Sequence, residues 1–569
     1  MPNVSILSVL RERADATPDD VAFTFTDYDR DWNGVAETLT WSQLYRRTLN
    51  VAQEISQQGV PGDRALIIAP QGLAYIVAFL GAMQAGFIAV PLSVPVPGSH
   101  DERVSAVVTD TAPTVVLTTS AVFEVAAQYV DDGAAVIATI AVDTLDLDAP
   151  GADTAEVPDG PDIAYLQYTS GSTRLPAGVM ISHRNLVANF EQLMAEYLAH
   201  HGGKFPPGAS LVSWLPFYHD MGLMLGIAAP ILSGHPADLM SPIAFLSRPA
   251  RWLQTMARQQ SAWSGAPNFA FDLTARRATD EELAGLDLSR VIGIINGAER
   301  IHPETLVRFN ERLAPNGFRP EMLAPSYGLA EATVYVASGG ANRAPEVVEF
   351  DAEELTQGNA IRKPGGTQLL RYQLPPSPLV RIVDAETGQP CPDGTVGEIW
   401  THGENVAGGY WRKPEQTGSA FGAVLINPPA NVPDTGWLRT GDQGFISEGD
   451  LFIVGRIKDM LIVRGRNHYS DDIEATVQKI TGGRVAAIAV ADEETEKLVT
   501  IVELKKREDA DLEAVKSDVV AAISRAHGLQ VADIVLVEPG SMPTTTSGKI
   551  RRAACVEQYR QGQFVRLDA

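Results

Sequence analysis

The chain has 569 residues, a formal net charge of −25 at pH 7 and a hydrophobic fraction of 45%. This size predicts several domains with large cores, and the charge argues against a nucleic-acid surface or an anionic membrane face. The two cysteines, Cys391 and Cys555, provide no disulfide framework, and charges inside the apolar run at 1–20 argue against a signal peptide. We therefore expect a cytoplasmic protein.

The first 160 residues alternate between helical and strand patterns, which predicts a doubly wound, mostly parallel sheet. The predicted elements are a helix at 41–58, a strand at 64–69, a helix at 73–86 and strands at 115–119 and 135–142.

Two apolar stretches, 75–92 and 222–232, need testing as membrane spans. The first contains Gln84 and Pro91, and the second is short and contains Pro230. We therefore predict that both are buried helices and that the chain has no integral membrane segment.

A strand predicted at 163–168 leads into a loop at 169–178 that is rich in Thr, Ser and Gly. Hydroxyls and freely oriented backbone N–H groups can surround a phosphate. The loop is not a Walker A loop, because no Gly-Lys-Ser/Thr follows it. Taken alone, such a loop is more often a flexible turn.

Strand and helix patterns continue at 211–215, 249–260 and 291–295. From about residue 379 the pattern changes to short β segments, which predict a small antiparallel or barrel-like subdomain. From about residue 460 a compact α+β unit is predicted, with strands at 486–490 and 499–505 and a helix at 511–526.

Single charged residues in four further segments each allow two interpretations. Glu331 in SYGLAEAT is either a helix-start residue or a carboxylate that holds Mg²⁺ against nucleotide phosphates. Asp442 in WLRTGDQG is either a turn residue or an acceptor for ribose hydroxyls. Arg456 is either solvated or in contact with ribose or phosphate. Lys549 in PTTTSGKIRR is either solvated or a mobile cation that neutralises charge during transfer.

Together and in this order, the segments resemble the adenylate-forming superfamily of acyl-CoA synthetases, luciferases and peptide-synthetase adenylation domains. Within it, the chain is most similar to the fatty acyl-AMP ligases. The similarity runs from about residue 10 to the C-terminus. It rests on the strings YLQYTSGSTR, SWLPFYHDMGL, APNFAFDL, SYGLAEATVYVA, GRIKDMLIVRGRN and PTTTSGKIRR.

The resemblance implies an α/β fold in three parts. Residues 1–455 would form a large N-terminal adenylation domain of doubly wound sheets with a small β-barrel-like subdomain. Residues 456–460 would be a hinge that includes Lys458 and Asp459. Residues 461–569 would form a small, mobile α+β domain that carries the adenylation lysine.

The resemblance also implies roles for individual residues. Lys549 and Glu331 would be catalytic, Glu331 would hold Mg²⁺, and His219 would position substrate. Tyr327 would stack on adenine, Asp442 would bind the ribose hydroxyls and Arg456 the ribose region. The remaining implied ATP-binding residues are Thr169, Ser170, Gly171, Ser172, Thr173, Gly297, Ala298 and Gly328.

The implied reaction is the activation of a medium- or long-chain fatty acid by ATP to an acyl-adenylate and pyrophosphate. The acyl group would then pass to the phosphopantetheine thiol of an acyl carrier protein of a polyketide or lipopeptide synthase.

Many acyl-CoA synthetases have a lysine in the phosphate loop, where this chain has Arg174 and Ala177. The alternatives are a fatty acyl-CoA synthetase and a non-catalytic nucleotide-binding regulator. A non-catalytic regulator should have lost some of the residues Glu331, Asp442 and Lys549, which are all present here.

About twenty residues more than is typical of acyl-CoA synthetases separate Glu331 from Glu398, and we place the excess at 346–375. In the resembling ligases an insertion here packs against the hinge and hinders entry of coenzyme A. The alternative is a surface loop of no consequence. The chain also has Arg371-Tyr372-Gln373 where relatives have a glycine-containing turn, so we expect an altered turn at that point.

Overall fold

The computed structural model describes residues 4–95, 101–129, 137–150, 162–169, 176–463, 466–492, 495–504, 512–545 and 548–568. It confirms the mixed α/β class. The elements of the first 200 residues are α1 (Ile6–Ala16), β1 (Val21–Asp27), β2 (Val35–Thr40), α2 (Trp41–Ile55), β3 (Arg64–Ile68), α3 (Leu73–Gln84), β4 (Ile88–Leu92), α4 (Glu102–Thr111), β5 (Val115–Thr118), α5 (Phe123–Ala127), β6 (Ala138–Ala141), β7 (Ile163–Thr169), β8 (Ala177–Ser182) and α6 (His183–Tyr197).

Six of these strands form one sheet in the order β6-β5-β3-β4-β7-β8, and all neighbours are parallel except β7 and β8. This confirms the predicted doubly wound sheet. The prediction of one helix across 75–92 is wrong in its second half. The helix ends at Gln84, Gly86 adopts φ +77°, and β4 pairs with β3. A central parallel strand is buried on both faces, so its sequence is as apolar as that of a buried helix.

A second group of elements extends from residue 209 to residue 456. They are β9 (Ala209–Ser213), α7 (Asp220–Leu223), α8 (Ala229–Ser233), β10 (Ala237–Met240), α9 (Pro242–Ser247), α10 (Ala250–Arg258), β11 (Ser261–Pro267), α11 (Asn268–Arg277), α12 (Asp280–Leu283), β12 (Val291–Gly297), α13 (Pro303–Leu313), β13 (Leu323–Tyr327), β14 (Ala337–Ser338), β15 (Val347–Phe350), α14 (Ala352–Thr356), β16 (Thr367–Gln373), β17 (Leu379–Val383), β18 (Gly397–His402), α15 (Pro414–Phe421), β19 (Leu438–Ser447) and β20 (Asp450–Arg456).

A fourteen-stranded sheet has the order β17-β18-β19-β20-β16-β14-β13-β12-β11-β9-β10-β1-β2, with β15 paired to β16 off this path. The strands from β13 through β10 to β1 are parallel, whereas β14 and β16–β20 pair antiparallel. The antiparallel character predicted after residue 379 is thus confirmed. The predicted buried helix at 222–232 is also confirmed, and α7 and α8 are joined there by a π-helical stretch, Met224–Ala228.

The C-terminal part is a small α+β domain, as predicted. Its elements are β21 (Met460–Val463), β22 (Arg466–Tyr469), α16 (Ser470–Thr481), β23 (Val485–Asp492), β24 (Thr495–Glu503), α17 (Leu512–His527), β25 (Val531–Val537) and α18 (Arg552–Arg560). Strands β23, β24 and β25 form a sheet. One face packs on α16 and α17, and the other packs on α18 through Cys555, because alternate residues of a strand point to opposite faces. Within the described residues, no helix has both the length and the apolar character needed to cross a membrane.

Candidate active site

The predicted phosphate loop begins where β7 ends, and Thr169 is its first member. The C-terminal flank of the loop is fixed to the chain before α15. The N–H of Trp411 donates to the carbonyl of Gly178 at 2.7 Å, and Nζ of Lys413 donates to the carbonyl of Pro176 at 2.7 Å. The other predicted phosphate-binding members lie outside the described residues: Ser170, Gly171, Ser172 and Thr173.

Asp442 and Arg456 meet because they are cross-strand partners in the antiparallel pair β19–β20. Nε of Arg456 lies 3.2 Å from Oδ1 of Asp442, and the hydroxyl of Tyr327 donates to Oδ2 at 2.7 Å. The Asp442 side chain is 7% exposed. Burial raises the pKa of this carboxyl, while Arg456 opposes the rise. The sequence predicted these three residues as nucleotide ligands, and the structure brings them together.

The parallel strands β12 and β13 end beside each other at Gly297 and Tyr327. A Cβ added to Gly297 would lie 3.0 Å from the Ser326 carbonyl oxygen. Ala298 has φ +64°, an unusual conformation for a residue with a side chain. The ends of parallel strands are where α/β sheets bind ligands, so the predicted adenine site lies at a suitable edge. Adenine stacking on Tyr327 stays a prediction.

Glu331 lies in a 3₁₀ turn, Ala330–Ala332, directly after β13. Its Oε1 accepts a hydrogen bond of 2.8 Å from the Tyr410 hydroxyl. Burial raises the pKa of Glu331, Tyr410 and Arg456 oppose this, and the charge of Asp220 adds to it. The carboxyl is therefore held on one oxygen within a partly desolvated cleft.

Gly328 leads into this turn, and its lack of a side chain is required. A Cβ at Gly328 would lie 1.5 Å from the carbonyl oxygen of Val334. Any other residue would therefore push apart the chain that carries Glu331. The predicted role of Gly328 in binding ATP stays a prediction, but the structure supplies a packing reason for the glycine.

Lys549 lies in the loop between β25 and α18. Its backbone is held by Thr545, whose N–H donates to the Lys549 carbonyl at 2.7 Å and whose Oγ1 accepts from the Lys549 N–H at 3.0 Å. Lys549 is exposed to solvent within the cleft. The surrounding protein nevertheless removes part of the water around its ammonium group. Desolvation and then Arg456 lower the pKa of Lys549, and the carboxylates of Asp220, Glu299 and Asp442 oppose this. The C-terminal domain therefore presents its lysine to the cleft of the large domain.

His219 lies immediately before α7, on the wall of the same cleft. Burial, followed by the charges of Lys549 and Arg103, lowers the pKa of His219 to about 4. The imidazole is therefore neutral at physiological pH. Within the described part of the chain its buried Nε2 has no hydrogen-bond partner. A neutral ring with a free nitrogen can position a polar substrate group by a hydrogen bond.

The predicted hinge residues Lys458 and Asp459 lie in a 3₁₀ turn, Ile457–Asp459, between β20 and β21. Burial and then Arg456 lower the pKa of Lys458. The hydroxyl of Ser470 donates to the Asp459 carbonyl at 2.8 Å, which ties the turn to α16. The position of the turn agrees with a hinge, although motion there stays a prediction.

Ion pairs join α16 to the large domain next to the cleft. Arg300 pairs with Asp472, and Nζ of Lys479 lies 2.7 Å from Oε1 of Glu304. Because Arg300 follows β12, these contacts close the small domain over the ends of the parallel strands.

The predicted insertion at 346–375 contains β15, α14 and β16, and it packs against the base of the small domain. The Phe350 ring lies 4.8 Å from that of Phe445 and 5.0 Å from that of Phe452. Leu355 and Tyr469 belong to the same buried cluster, and Met460 packs against it. A cavity of about 260 Å³ separates the insertion from His527 and Gly528 at the end of α17.

The expectation of an altered turn at Arg371-Tyr372-Gln373 is wrong, because these residues lie in β16. They pair with residues of β20, and Nε of Arg371 lies 2.6 Å from Oδ2 of Asp450. Tyr372 is buried. A strand with an ion pair and a buried ring therefore stands where an altered turn was expected.

Sequence reasoning missed Asp220, Glu299, Arg103 and Tyr410. Asp220 stands within the string SWLPFYHDMGL, and Glu299 directly follows the predicted Gly297 and Ala298, so the signal was available. Nothing in the sequence around Tyr410 indicates its bond to Glu331.

The described residues contain no cluster of three or more His, Cys, Asp or Glu side chains arranged to hold a metal ion. Mg²⁺ in nucleotide enzymes is bound by one or two carboxylates together with substrate phosphates. Glu331, with Asp220 in its electrostatic surroundings, meets that smaller requirement. The donor set therefore fits a magnesium ion that arrives with a nucleotide.

Comparison with known proteins gives consistent matches. Residues 10–411 match the AMP-binding enzyme family, and residues 458–568 match the AMP domain of Disco-interacting protein 2-like proteins. A Mycobacterium leprae protein named as a fatty-acid–CoA ligase, fadD21, is 61% identical over 578 residues and covers 100% of both chains. The long-chain-fatty-acid–AMP ligase FadD28 of Mycobacterium tuberculosis is 58% identical over 576 residues and covers 99% of both.

A solved structure is similar along the same length. It is the fatty acyl-adenylate ligase of L. pneumophila in complex with acyl adenylate and pyrophosphate. The two chains are 34% identical, with a TM-score of 0.74 and coverage of 98% of this chain and 96% of that one.

Proposed function

Since the chain belongs to the AMP-binding enzyme family, we propose that it is a fatty acyl-AMP ligase, which uses ATP to convert a fatty acid into an acyl-adenylate. The observation that carries this proposal is the arrangement of charge around one cleft. Glu331, Asp442 and Arg456 lie on the large domain, and Lys549 approaches them from the small domain. A cleft in which opposite walls supply cations and carboxylates suits a reaction between anionic substrates.

In the proposed reaction a carboxylate oxygen of the fatty acid attacks the α-phosphorus of ATP. The bond from that phosphorus to the bridging oxygen of the β-phosphate breaks, and pyrophosphate leaves with the electron pair. Lys549 offsets the negative charge that accumulates at the α-phosphate. Asp442 accepts hydrogen bonds from the ribose hydroxyls, and His219 orients the carboxylate from the opposite wall.

Glu331 is the proposed holder of Mg²⁺, and its Tyr410 hydrogen bond leaves Oε2 as the oxygen available for this. When bound, the ion would neutralise phosphate charge. The loop at 169–173 would supply N–H and hydroxyl donors to the β- and γ-phosphates.

We further propose that the acyl group passes to the phosphopantetheine thiol of an acyl carrier protein, such as a carrier domain of a polyketide or lipopeptide synthase. The names of the relatives leave coenzyme A as the alternative acceptor, because one is a CoA ligase and another an AMP ligase. The insertion favours the carrier protein. It packs on Phe445, Phe452 and Tyr469, where the small domain would have to turn to admit coenzyme A.

The first half of the proposal is tested by mass spectrometry of the products formed from ATP, Mg²⁺ and a panel of fatty acids. We expect acyl-AMP and pyrophosphate from medium- or long-chain acids. ATP–pyrophosphate exchange that does not depend on any fatty acid in the panel would contradict the proposed substrate class.

The second half is tested by shortening the insertion. Phe350 and Thr367 are paired across β15 and β16, so residues 351–366 can be replaced by Asn-Gly, a favoured two-residue hairpin turn. We expect the wild type to make little acyl-CoA and the shortened variant to make more, with adenylation retained in both. Val347→Thr, at the exposed start of β15, is a matched control that leaves the loop intact. Equal acyl-CoA yields from wild type and shortened variant would refute the role of the insertion.

A further inference from the structure

Arg552, the first residue of α18, holds three carboxylates at once. Its Nε and Nη2 each lie 2.7 Å from an oxygen of Glu474, its Nη1 lies 2.9 Å from Oδ2 of Asp459, and it also pairs with Asp471. The side chains are mostly buried, since Arg552 is 18% exposed and Glu474 13%. A guanidinium presents five donors in a rigid plane, which is the geometry that such a multiple contact requires.

The three carboxylates belong to two different elements. Asp459 lies in the 3₁₀ turn predicted as the hinge, whereas Asp471 and Glu474 lie in the first half of α16. Glu474 also accepts the N–H of Ala487 at 2.9 Å, which fixes it to β23. Arg552 therefore connects the start of α18 to the hinge turn and to the body of the small domain.

The same end of α16 also carries the contact that closes the domains. Asp472 stands between Asp471 and Glu474 in sequence and pairs with Arg300 of the large domain. The hinge, the closing contact and the start of α18 thus meet within one small cluster of charges.

Lys549 precedes Arg552 by three residues. On its other side the lysine loop is anchored by Glu503, whose Oε1 accepts the N–H groups of Gly540 at 2.9 Å and Met542 at 3.1 Å. The side chains of Met542 and Ile550 pack against the sheet of the small domain. The side chain of Arg552 adds a direct bond from the C-terminal end of the loop to the hinge turn through Asp459.

We propose that Arg552 is a positioning residue that couples the arrangement of the hinge to the placement of Lys549 in the cleft. When Arg552 holds Asp459 and Glu474 together, closure through Arg300 and Asp472 brings the ammonium to the reacting phosphate. This inference rests on the proposed role of Lys549. The competing explanation is that the buried charges serve only the stability of the small domain.

The test compares Arg552→Gln, Arg552→Lys and Asp459→Asn with the wild type, and Arg551→Gln serves as control because Arg551 is the exposed neighbour. The first readout is the pH dependence of Lys549 acylation, followed by mass spectrometry of the modified peptide. Lys549 in the wild type should react at lower pH than Lys516, because the cleft lowers the pKa of Lys549. In Arg552→Gln its profile should move toward that of an ordinary lysine.

The second readout is adenylation kinetics. We expect kcat to fall at least tenfold in Arg552→Gln and Asp459→Asn, with the KM for ATP within about threefold, and we expect Arg552→Lys to be intermediate. Thermal unfolding identifies variants that do not fold. Asp459→Asn keeps the pairing of Arg552 with Glu474, so it remains informative if Arg552→Gln unfolds.

Folded variants with wild-type kcat and an unmoved Lys549 profile would overturn the coupling. So would unfolding of Arg552→Gln together with wild-type behaviour of Asp459→Asn, since the role of Arg552 would then be stability alone. The acylation profile needs no substrate, so it stays decisive even if the wild type fails to form an adenylate. A failure of the proposed function is thereby distinguished from a failure of this inference.

Discussion

Replacing Lys549 by alanine removes a cation that the small domain presents to the cleft. In the free protein its ammonium faces the carboxylates of Asp220, Glu299 and Asp442. During reaction it would face the α-phosphate and the attacking carboxylate instead. A full charge at about 4 Å interacts by roughly 4 kcal/mol at an effective dielectric constant near 20, which sets the upper limit of the effect.

Because the lysine also interacts with these carboxylates before reaction, the loss of transition-state stabilisation is smaller than this limit. We expect about 2–4 kcal/mol, which corresponds to a fall in kcat of roughly 30- to 10³-fold. The proposed ATP-binding groups Glu331 and Asp442 lie on the large domain, so the KM for ATP should change only a few-fold.

The assay is fatty-acid-dependent ATP–pyrophosphate exchange, with thermal unfolding to verify the fold. Lys516→Ala is the matched control, because Lys516 lies on α17 and pairs with Asp568. A Lys549→Ala enzyme that exchanges pyrophosphate within threefold of the wild-type rate would refute the assignment of this lysine.

Three further predictions concern single side chains. Tyr410→Phe removes the hydrogen bond to Glu331 and should raise the Mg²⁺ concentration needed for half-maximal activity, and an unchanged Mg²⁺ titration would contradict this. Gly328→Ala should lower the melting temperature or abolish folding, since its Cβ would overlap the Val334 carbonyl, and wild-type stability and activity would be inconsistent with the structure. Burial lowers the pKa of His183 from 6.5 to about 4, because the buried site disfavours the protonated ring. The free energy of unfolding is therefore fully retained above pH 6.5 and decreases as the pH falls toward 4. Between those pH values, urea unfolding should show that the free energy of unfolding of the wild type falls by up to roughly 3 kcal/mol more than that of His183→Gln. Parallel curves of unfolding free energy against pH would exclude the shift in the pKa of His183.

The sequence predicted most of the elements around the site because their periodicity is strong. The strand before the phosphate loop, predicted at 163–168, is β7 at Ile163–Thr169. The strand predicted at 291–295 is β12 at Val291–Gly297. The helix predicted at 511–526 is α17 at Leu512–His527. The error at 75–92 arose because a central parallel strand and a buried helix have equally apolar sequences.

Contacts between distant segments could not be predicted in the same way. Asp442 and Arg456 meet through the register of β19 and β20, which periodicity alone does not fix. The bond from Tyr410 to Glu331 joins residues 79 positions apart. The approach of Lys549 to Asp220 and Glu299 depends on how the small domain sits on the large one. Each is a tertiary property, and motif recognition supplied only the residues that take part.

The central claim is that the chain makes an acyl-adenylate and delivers the acyl group to a carrier protein instead of coenzyme A. The most direct test gives the purified enzyme a fatty acid, ATP and Mg²⁺ together with equal concentrations of coenzyme A and a holo-acyl carrier protein, and measures both thioesters by mass spectrometry. We predict that the acylated form of the carrier protein accumulates and that acyl-CoA stays near the level seen without enzyme. Acyl-CoA as the main product would contradict the account.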